Sequence, residues 1–186
     1  VTTVERPTTD ATDLRPVDRD LFRALLRRQA TSVTVVTAVA RSTDPACLGG
    51  IGQPIRAGFT ATSFTSVSLE PPLVSFCLGT ESSSWPVLAR AEHVAVHLLA
   101  AGQREAAAVF ATRGIDRFAA YPDWTAGPFG VPLLTGALAR LFCRVVHRVP
   151  VGDHTLVIAE PLALGDGGDG PPLVHHRGGY TTPAGG

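Results

Sequence analysis

Gly58-Phe59-Thr60-Ala61-Thr62-Ser63-Phe64-Thr65-Ser66-Val67-Ser68-Leu69-Glu70-Pro71-Pro72-Leu73-Val74 decides how this chain is read. Its β-branched and aromatic residues favour extended backbone, and Pro71-Pro72 exclude a helix at that point. Hydroxyl side chains recur from Thr60 to Ser68 with no charge among them, and a second hydroxyl run, Ser82-Ser83-Ser84, follows shortly before Trp85. Ser and Thr both donate and accept, so the pattern suits a ligand rich in carbonyl, amide and hydroxyl groups. It equally suits an ordinary strand whose hydroxyls bond to nearby backbone.

Outward from this stretch the chain punctuates itself. Residues 1–17 have no apolar period and are expected to form a flexible tail, leaving 18–186 as one domain. Asp18 should cap a helix running to about residue 29, with Leu21, Phe22, Leu25 and Leu26 on one stripe. Residues 32–40, rich in Val and Thr, read as a strand, and 44–56 as a long loop before the next strand near Gly58. Strands are expected at 73–78 and 94–99, with a helix start at Trp85-Pro86 capped by the preceding serine and another helix over 104–111 anchored by Val109 and Phe110. In 137–149, Ala139, Leu141, Cys143 and Val145 alternate with Arg140 and Arg144, and Arg148 is expected on the arginine face; this strand should form a hairpin with 155–164. The sum is mostly β with peripheral helices, a barrel-like sheet with covered edges.

Composition removes several chemistries. All 16 cations are arginine and balance 16 acidic residues, which disfavours a polyanion partner such as nucleic acid. Lysine and asparagine are both absent, so a Schiff-base enzyme, a Walker A loop and a Cys-His-Asn protease are excluded. Cys47, Cys77 and Cys143 form no CxxC pair, and no apolar run approaches the roughly 20 residues of a membrane helix; a cytoplasmic protein with no membrane contact is expected. The letters 165–170 fit GxGxxG, but they run into Pro171-Pro172 and carry two aspartates, so they read as a surface loop and not a dinucleotide fingerprint. His93 and His97 share a strand face without a carboxylate or thiol ligand nearby, and no metal site is expected.

The stretch GFTATSFTSVSLEPPLVSF resembles the signature of the flavin reductase family with its FMN-binding split barrel. Matching pieces follow in order: Ser82-Ser83-Ser84, Phe110-Ala111 with 114–118, Pro132-Leu133-Leu134, Gly152-Asp153-His154, and Pro172-Leu173-Val174 leading to Arg177-Gly178-Gly179-Tyr180. This resemblance implies a homodimeric NAD(P)H:flavin reductase using FMN or FAD with NADH or NADPH. It also implies that reduced flavin passes by diffusion to a flavin-dependent monooxygenase or halogenase. Carried across, Thr60, Ala61, Thr62 and Ser63 would lie along the isoalloxazine and Ser66 near the ribityl chain. Ser82, Ser83 and Ser84 would meet the phosphate, with Arg113 or Arg117 as the cation. His154 would position the nicotinamide, and Tyr180 would close over the flavin or anchor the C-terminus. Thr62 stands where relatives often have asparagine. Two rivals remain: a split barrel with permanently bound flavin acting as oxidase, ferric reductase or tailoring enzyme, and a non-enzymatic flavin or haem carrier.

Overall fold

The computed structural model describes residues 14–43 and 50–183. Residues 1–13 of the expected tail, and 44–49 of the expected loop with Cys47, lie outside the described residues. In chain order the elements are α1 (Arg19–Leu26), β1 (Thr31–Ser32), β2 (Thr34–Arg41), β3 (Pro54–Ala61), β4 (Thr65–Leu69), β5 (Pro72–Gly79) and α2 (Trp85–Leu88). They continue through β6 (His93–Leu98), α3 (Arg104–Ala111), α4 (Arg117–Ala120), β7 (Trp124–Ala126), β8 (Pro132–Leu134), β9 (Ala139–Val151), β10 (His154–Asp166), β11 (Val174–His176) and β12 (Gly179–Thr181).

Seven strands form one antiparallel sheet in the order β3-β2-β6-β9-β10-β5-β4. It curls until Phe59 of β3 meets Phe76 of β5 across the core, with ring centroids 6.0 Å apart. The faces therefore pack as in a barrel, but the ladder does not close: β3 and β4 remain edges. A closed barrel fails for a local reason. β4 pairs with β5 only as far as Ser75, and beyond it the N–H of Cys77 is taken at 2.9 Å by the Ser63 hydroxyl instead of by a strand. β3 also begins earlier than expected, at Pro54, a position that an edge strand tolerates.

β2 is buried on both faces, which suits the β-branched run from Thr34 to Thr37 with small Ala38 after it. Val36 and Ala38 face the inner core with Phe59, Phe76, Val96 and Val157. Val33, just before β2, and Val35 face an outer core built by Ala106, Ala107 and Phe110 of α3, with Leu134 and Leu173. The buried polar groups among them are bonded: Thr37 donates to Pro132 O at 2.5 Å, and His97 is held between Val35 O at 2.9 Å and the Leu134 N–H at 3.0 Å. Bonded in this way, Nδ1 carries the proton and Nε2 accepts.

Two expectations need correction. The arginines of β9 do not share a face, because a bulge lies where Ile158 pairs with His147 but Ala159 pairs with Val145. The bulge reverses the alternation. Arg144 turns outward to Glu160 at 2.5 Å, whereas Arg148 opposes buried Val157 and donates to Leu88 O at 2.9 Å and to Ala91 O after α2. The second correction concerns α1. Its cap is as expected, with Asp18 accepting from the N–H groups of Asp20 and Leu21, but the helix ends at Leu26 and Phe22, Leu25 and Leu26 are 55%, 49% and 52% exposed.

Of the stretch expected as a surface loop, Gly165 and Asp166 instead end β10, paired with Arg140 and Ala139, and 167–170 are an exposed connection. Its glycine at 167 is required: an added Cβ would fall 1.6 Å from Ala137 O.

Burial lowers the His97 pKa from 6.5 to about 4, with repulsion from Arg140 adding to the effect. The unfolded chain takes up this proton below pH 6.5 and the folded chain only near 4, so the contribution is complete above pH 6.5 and is lost as pH falls. Urea unfolding should lose about 3 kcal/mol through this group between pH 7 and 4. His97→Gln should flatten that slope; an unchanged slope would remove His97 as its source.

Candidate functional site

The hydroxyl run after β5 and the start of α4 converge. Arg117 is fixed by its Nε–H donating to Thr112 O at 2.9 Å, and its two terminal nitrogens donate to Ser83 Oγ at 3.1 Å and Ser84 Oγ at 3.4 Å. Ser84 in turn donates to Gly58 O at 2.9 Å, which ties the cluster to the quoted strand. Burial lowers the Arg117 pKa, and repulsion by nearby Arg113 adds to it. No carboxylate pairs with Arg117 among the described ion pairs, and the adjacent Asp116 carboxylate accepts from the N–H groups of Phe118 and Ala119. A guanidinium with hydroxyls beside it and no internal counter-ion fits a phosphate monoester or diester. Ser84 itself is fully buried and its hydroxyl is used within the fold, so it positions Arg117; Ser82 and Ser83 are the more accessible members. Ser84 precedes α2 but does not cap it as expected, because its hydroxyl is taken by Gly58 O, and α2 with four residues adds little dipole.

Within the quoted stretch the hydroxyls divide. Thr60 donates to Ala107 O of α3 at 2.6 Å, and Ala61 is buried in the inner core. Thr62 and Ser63 are exposed, and Ser63 also donates to Cys77 O at 3.4 Å. They line an open cleft of 660 Å³ together with Arg23 of α1, Arg27 just after it, Thr65 and His175. Ser66 is exposed on β4 opposite Val74 and does not line this cleft. Arg23 and Arg27 were not anticipated. Their i, i+4 spacing on the polar side of α1 was the available signal.

His154 begins β10 opposite Gly79, immediately after the two-residue turn Gly152-Asp153. Its Nδ1 lies 2.7 Å from the Asp153 carboxylate, and that contact lowers the Asp153 pKa. The same turn holds the segment toward Ser82, because Asp153 O accepts from the N–H of Thr80 at 3.1 Å. Thus His154 stands at the β5 end that leads to the serine run, with its side chain 52% exposed. Tyr180 sits elsewhere: half-buried on β12, it packs edge-on to His175 at 5.9 Å and against the outer core, which anchors the C-terminal hairpin. His93 stacks on Phe129 at 4.5 Å and is not near a second ligand; no cluster able to hold a metal occurs among the described residues.

Residues 26–184 match the family described as the flavin reductase like domain. This chain belongs to the flavin reductase family. It is 41% identical over 166 residues to an NADH:FMN oxidoreductase of Rhodococcus qingshengii, covering 87% of this chain and 80% of that one. It is 36% identical over 165 residues to the reductase subunit HsaB of a flavin-dependent monooxygenase of Rhodococcus jostii, covering 89% and 78% of the two chains. Among solved structures, the Streptomyces globisporus NADH:FAD oxidoreductase SgcE6, in complex with NAD and FAD fragments, superposes with a TM-score of 0.77 at 33% identity, covering 92% of this chain and 96% of that one.

A charge-assisted hydrogen bond contributes about 1.5–3 kcal/mol, equivalent to roughly tenfold or more in affinity. Arg117→Ala should therefore weaken FMN binding by about tenfold while riboflavin, which lacks the phosphate, changes less than about twofold. His154→Ala should raise the KM for NADH and leave the FMN dissociation constant in place. Titration by flavin fluorescence and steady-state kinetics check both, and equal loss of FMN and riboflavin would move the phosphate elsewhere.

Proposed function

We propose that this chain is an NAD(P)H:flavin oxidoreductase that reduces FMN or FAD and releases the product to a separate flavin-dependent monooxygenase or halogenase. The observation that carries the reading is the unneutralised Arg117 cluster with Ser83, tied through Ser84 to the backbone of the quoted strand. Family membership and the relatives' names support the same chemistry. When both ligands are bound, the nicotinamide supplies a hydride and the flavin N5 receives it, chemistry that belongs to the two rings.

The protein's part is binding, orientation and exclusion of water. Arg117 and Ser83 hold the phosphate, Thr62 and Ser63 offer hydroxyls further along, and Asp153 fixes the His154 ring for the nicotinamide. No acid–base pair is required, which agrees with a site built from hydroxyls and backbone groups. The edge position of β3 favours a flavin that comes and goes over one held permanently. The use of reduced nicotinamide favours a cytoplasmic setting for the reaction; no described helix is long and apolar enough to cross a membrane.

With reductase on one side of a dialysis membrane and a flavin-dependent hydroxylase on the other, NADH and FMN at low oxygen should yield hydroxylated product across the membrane. Flavin that stays on the reductase through repeated turnover would favour the prosthetic-group rival.

The working unit we propose is a homodimer. One chain leaves Phe22, Leu25 and Leu26 of α1 exposed, together with Val149 and Val151 near the β9–β10 turn and Leu69 on β4, apolar surface that a second copy would cover. Sedimentation at working concentration should give a dimer, and Phe22→Asp with Leu25→Asp should shift it toward monomer. A fully active monomer would overturn the assembly.

A further inference from the structure

A further cleft, of 740 Å³, lies at the Arg41–Pro54 end of the β2–β3 ladder, the opposite end from Thr34 and Ala61. It is lined by Arg41 at the end of β2, Arg90 and Glu92 between α2 and β6, His93 at the start of β6, and Phe129 between β7 and β8. None of its lining residues belongs to the cleft of Thr62 and Ser63 or to the Arg117 cluster. Its volume falls within the range of small-ligand sites, about 300 to 1,000 Å³. The flavin chemistry leaves it unused.

We propose that this cleft binds an aromatic carboxylic acid that also carries a hydrogen-bond donor, alongside the flavin and not in its place. The inference does not depend on the reading of Arg117. Three observations define the chemistry. First, the cleft presents an aromatic platform. The Phe129 ring, 75% exposed, lies nearly parallel to His93 at 4.5 Å and 12°, and His93 lies nearly parallel to Phe142 at 5.3 Å and 10°. Phe129 holds this place at φ 55°, a left-handed backbone that favours glycine, with Gly130 beside it at φ 77°. The chain thus keeps a large exposed ring where a glycine would fit with less strain, and such a face stacks a planar ligand ring.

Second, two cations are fixed there without counter-ions. Arg41 Nη1 donates to Gly52 O at 2.8 Å; Arg90 donates through Nε to Pro86 O at 3.0 Å and through Nη1 to Thr43 Oγ1 at 2.6 Å. The Nη2 of each has no described hydrogen bond, and neither arginine belongs to a described ion pair. Guanidiniums held on one side and open on the other suit a carboxylate. Third, the exposed Glu92 carboxylate has no described partner, and no described hydrogen bond uses the His93 ring nitrogens. Glu92 would repel a multiply charged anion such as a phosphate ester and accept from a phenol hydroxyl or an ammonium. A ring for Phe129, a carboxylate for the arginines and a donor for Glu92 together describe a phenolic acid or an aromatic amino acid.

Titration calorimetry of the intact chain with 4-hydroxybenzoate and with L-tryptophan separates these two sources, with cyclohexanecarboxylate as an acid that lacks the aromatic ring. At least one aromatic acid should bind saturably with a dissociation constant of about 1 mM or tighter, at least about fivefold tighter than cyclohexanecarboxylate. Saturating FMN should change that constant by less than about twofold. Phe129→Gly and Arg90→Ala should each weaken the acid about tenfold, and Glu92→Ala about fivefold, with FMN affinity unchanged in all three. Unchanged FMN affinity shows that the variant is folded, and if Phe129→Gly fails that check the exposed Arg90 decides. Absence of saturable binding by both aromatic acids would overturn the inference. So would displacement of the acid by FMN, which would assign it to the flavin site, or binding that survives both Phe129→Gly and Arg90→Ala.

Discussion

Burial of β2 on both faces is the constraint from which the rest of the molecule follows. A strand with Val36 and Ala38 on one side and Val35 on the other must be covered twice, and a curled sheet supplies only the inner cover. The outer cover is α3 with the β7–β8 hairpin, and each is fastened by polar bonds made through the layer: Thr60 to α3, Thr37 and His97 to β8. Once α3 lies over β3, Phe110 sits where Gly58 has no side chain; a Cβ there would come within 2.5 Å of the ring. The chain leaving α3 then brings Arg117 down onto Ser83 and Ser84. The Arg117 cluster is thus a by-product of how the outer core is closed.

This origin explains why hydroxyl groups with the same letters have different duties. Thr60 and Ser84 are spent inside the fold, where a buried hydroxyl without a partner would cost about 1–3 kcal/mol. Ser63 stands in for a missing strand partner at Cys77. Thr62 and Ser83 remain exposed at the surface. Arginine takes the place of lysine throughout this chain, and its planar fork reaches two serines and a backbone carbonyl at once, a geometry that a lysine ammonium on a flexible stem would not hold as firmly.

Much of the layout was legible in the letters. The bounds of α3, the hairpin turn before His154 and the strand character of β2 all follow from local pattern, because each depends on neighbours in sequence. What escaped was set by pairing over long separations. Nothing near Val146 announces the bulge that sends Arg148 inward, and the alternation of β9 predicts the opposite. Short elements such as β1, β4 and β7 have too few residues for a period to show. The apolar stripe of α1 was readable, but no residue of the helix is buried by the described chain. In the site, Arg117 and the serine run could be named from sequence, whereas the division of labour among Thr60, Ser63 and Ser84 depends on which backbone carbonyl or N–H each one meets.

The gap between β3 and β4 has a kinetic meaning. A cleft reached through an unpaired strand edge can fill and empty without any rung of the sheet being unzipped, so exchange there does not wait on a fold-scale opening event. The same gap that leaves the barrel incomplete as architecture makes it a slot through which material can pass at every cycle.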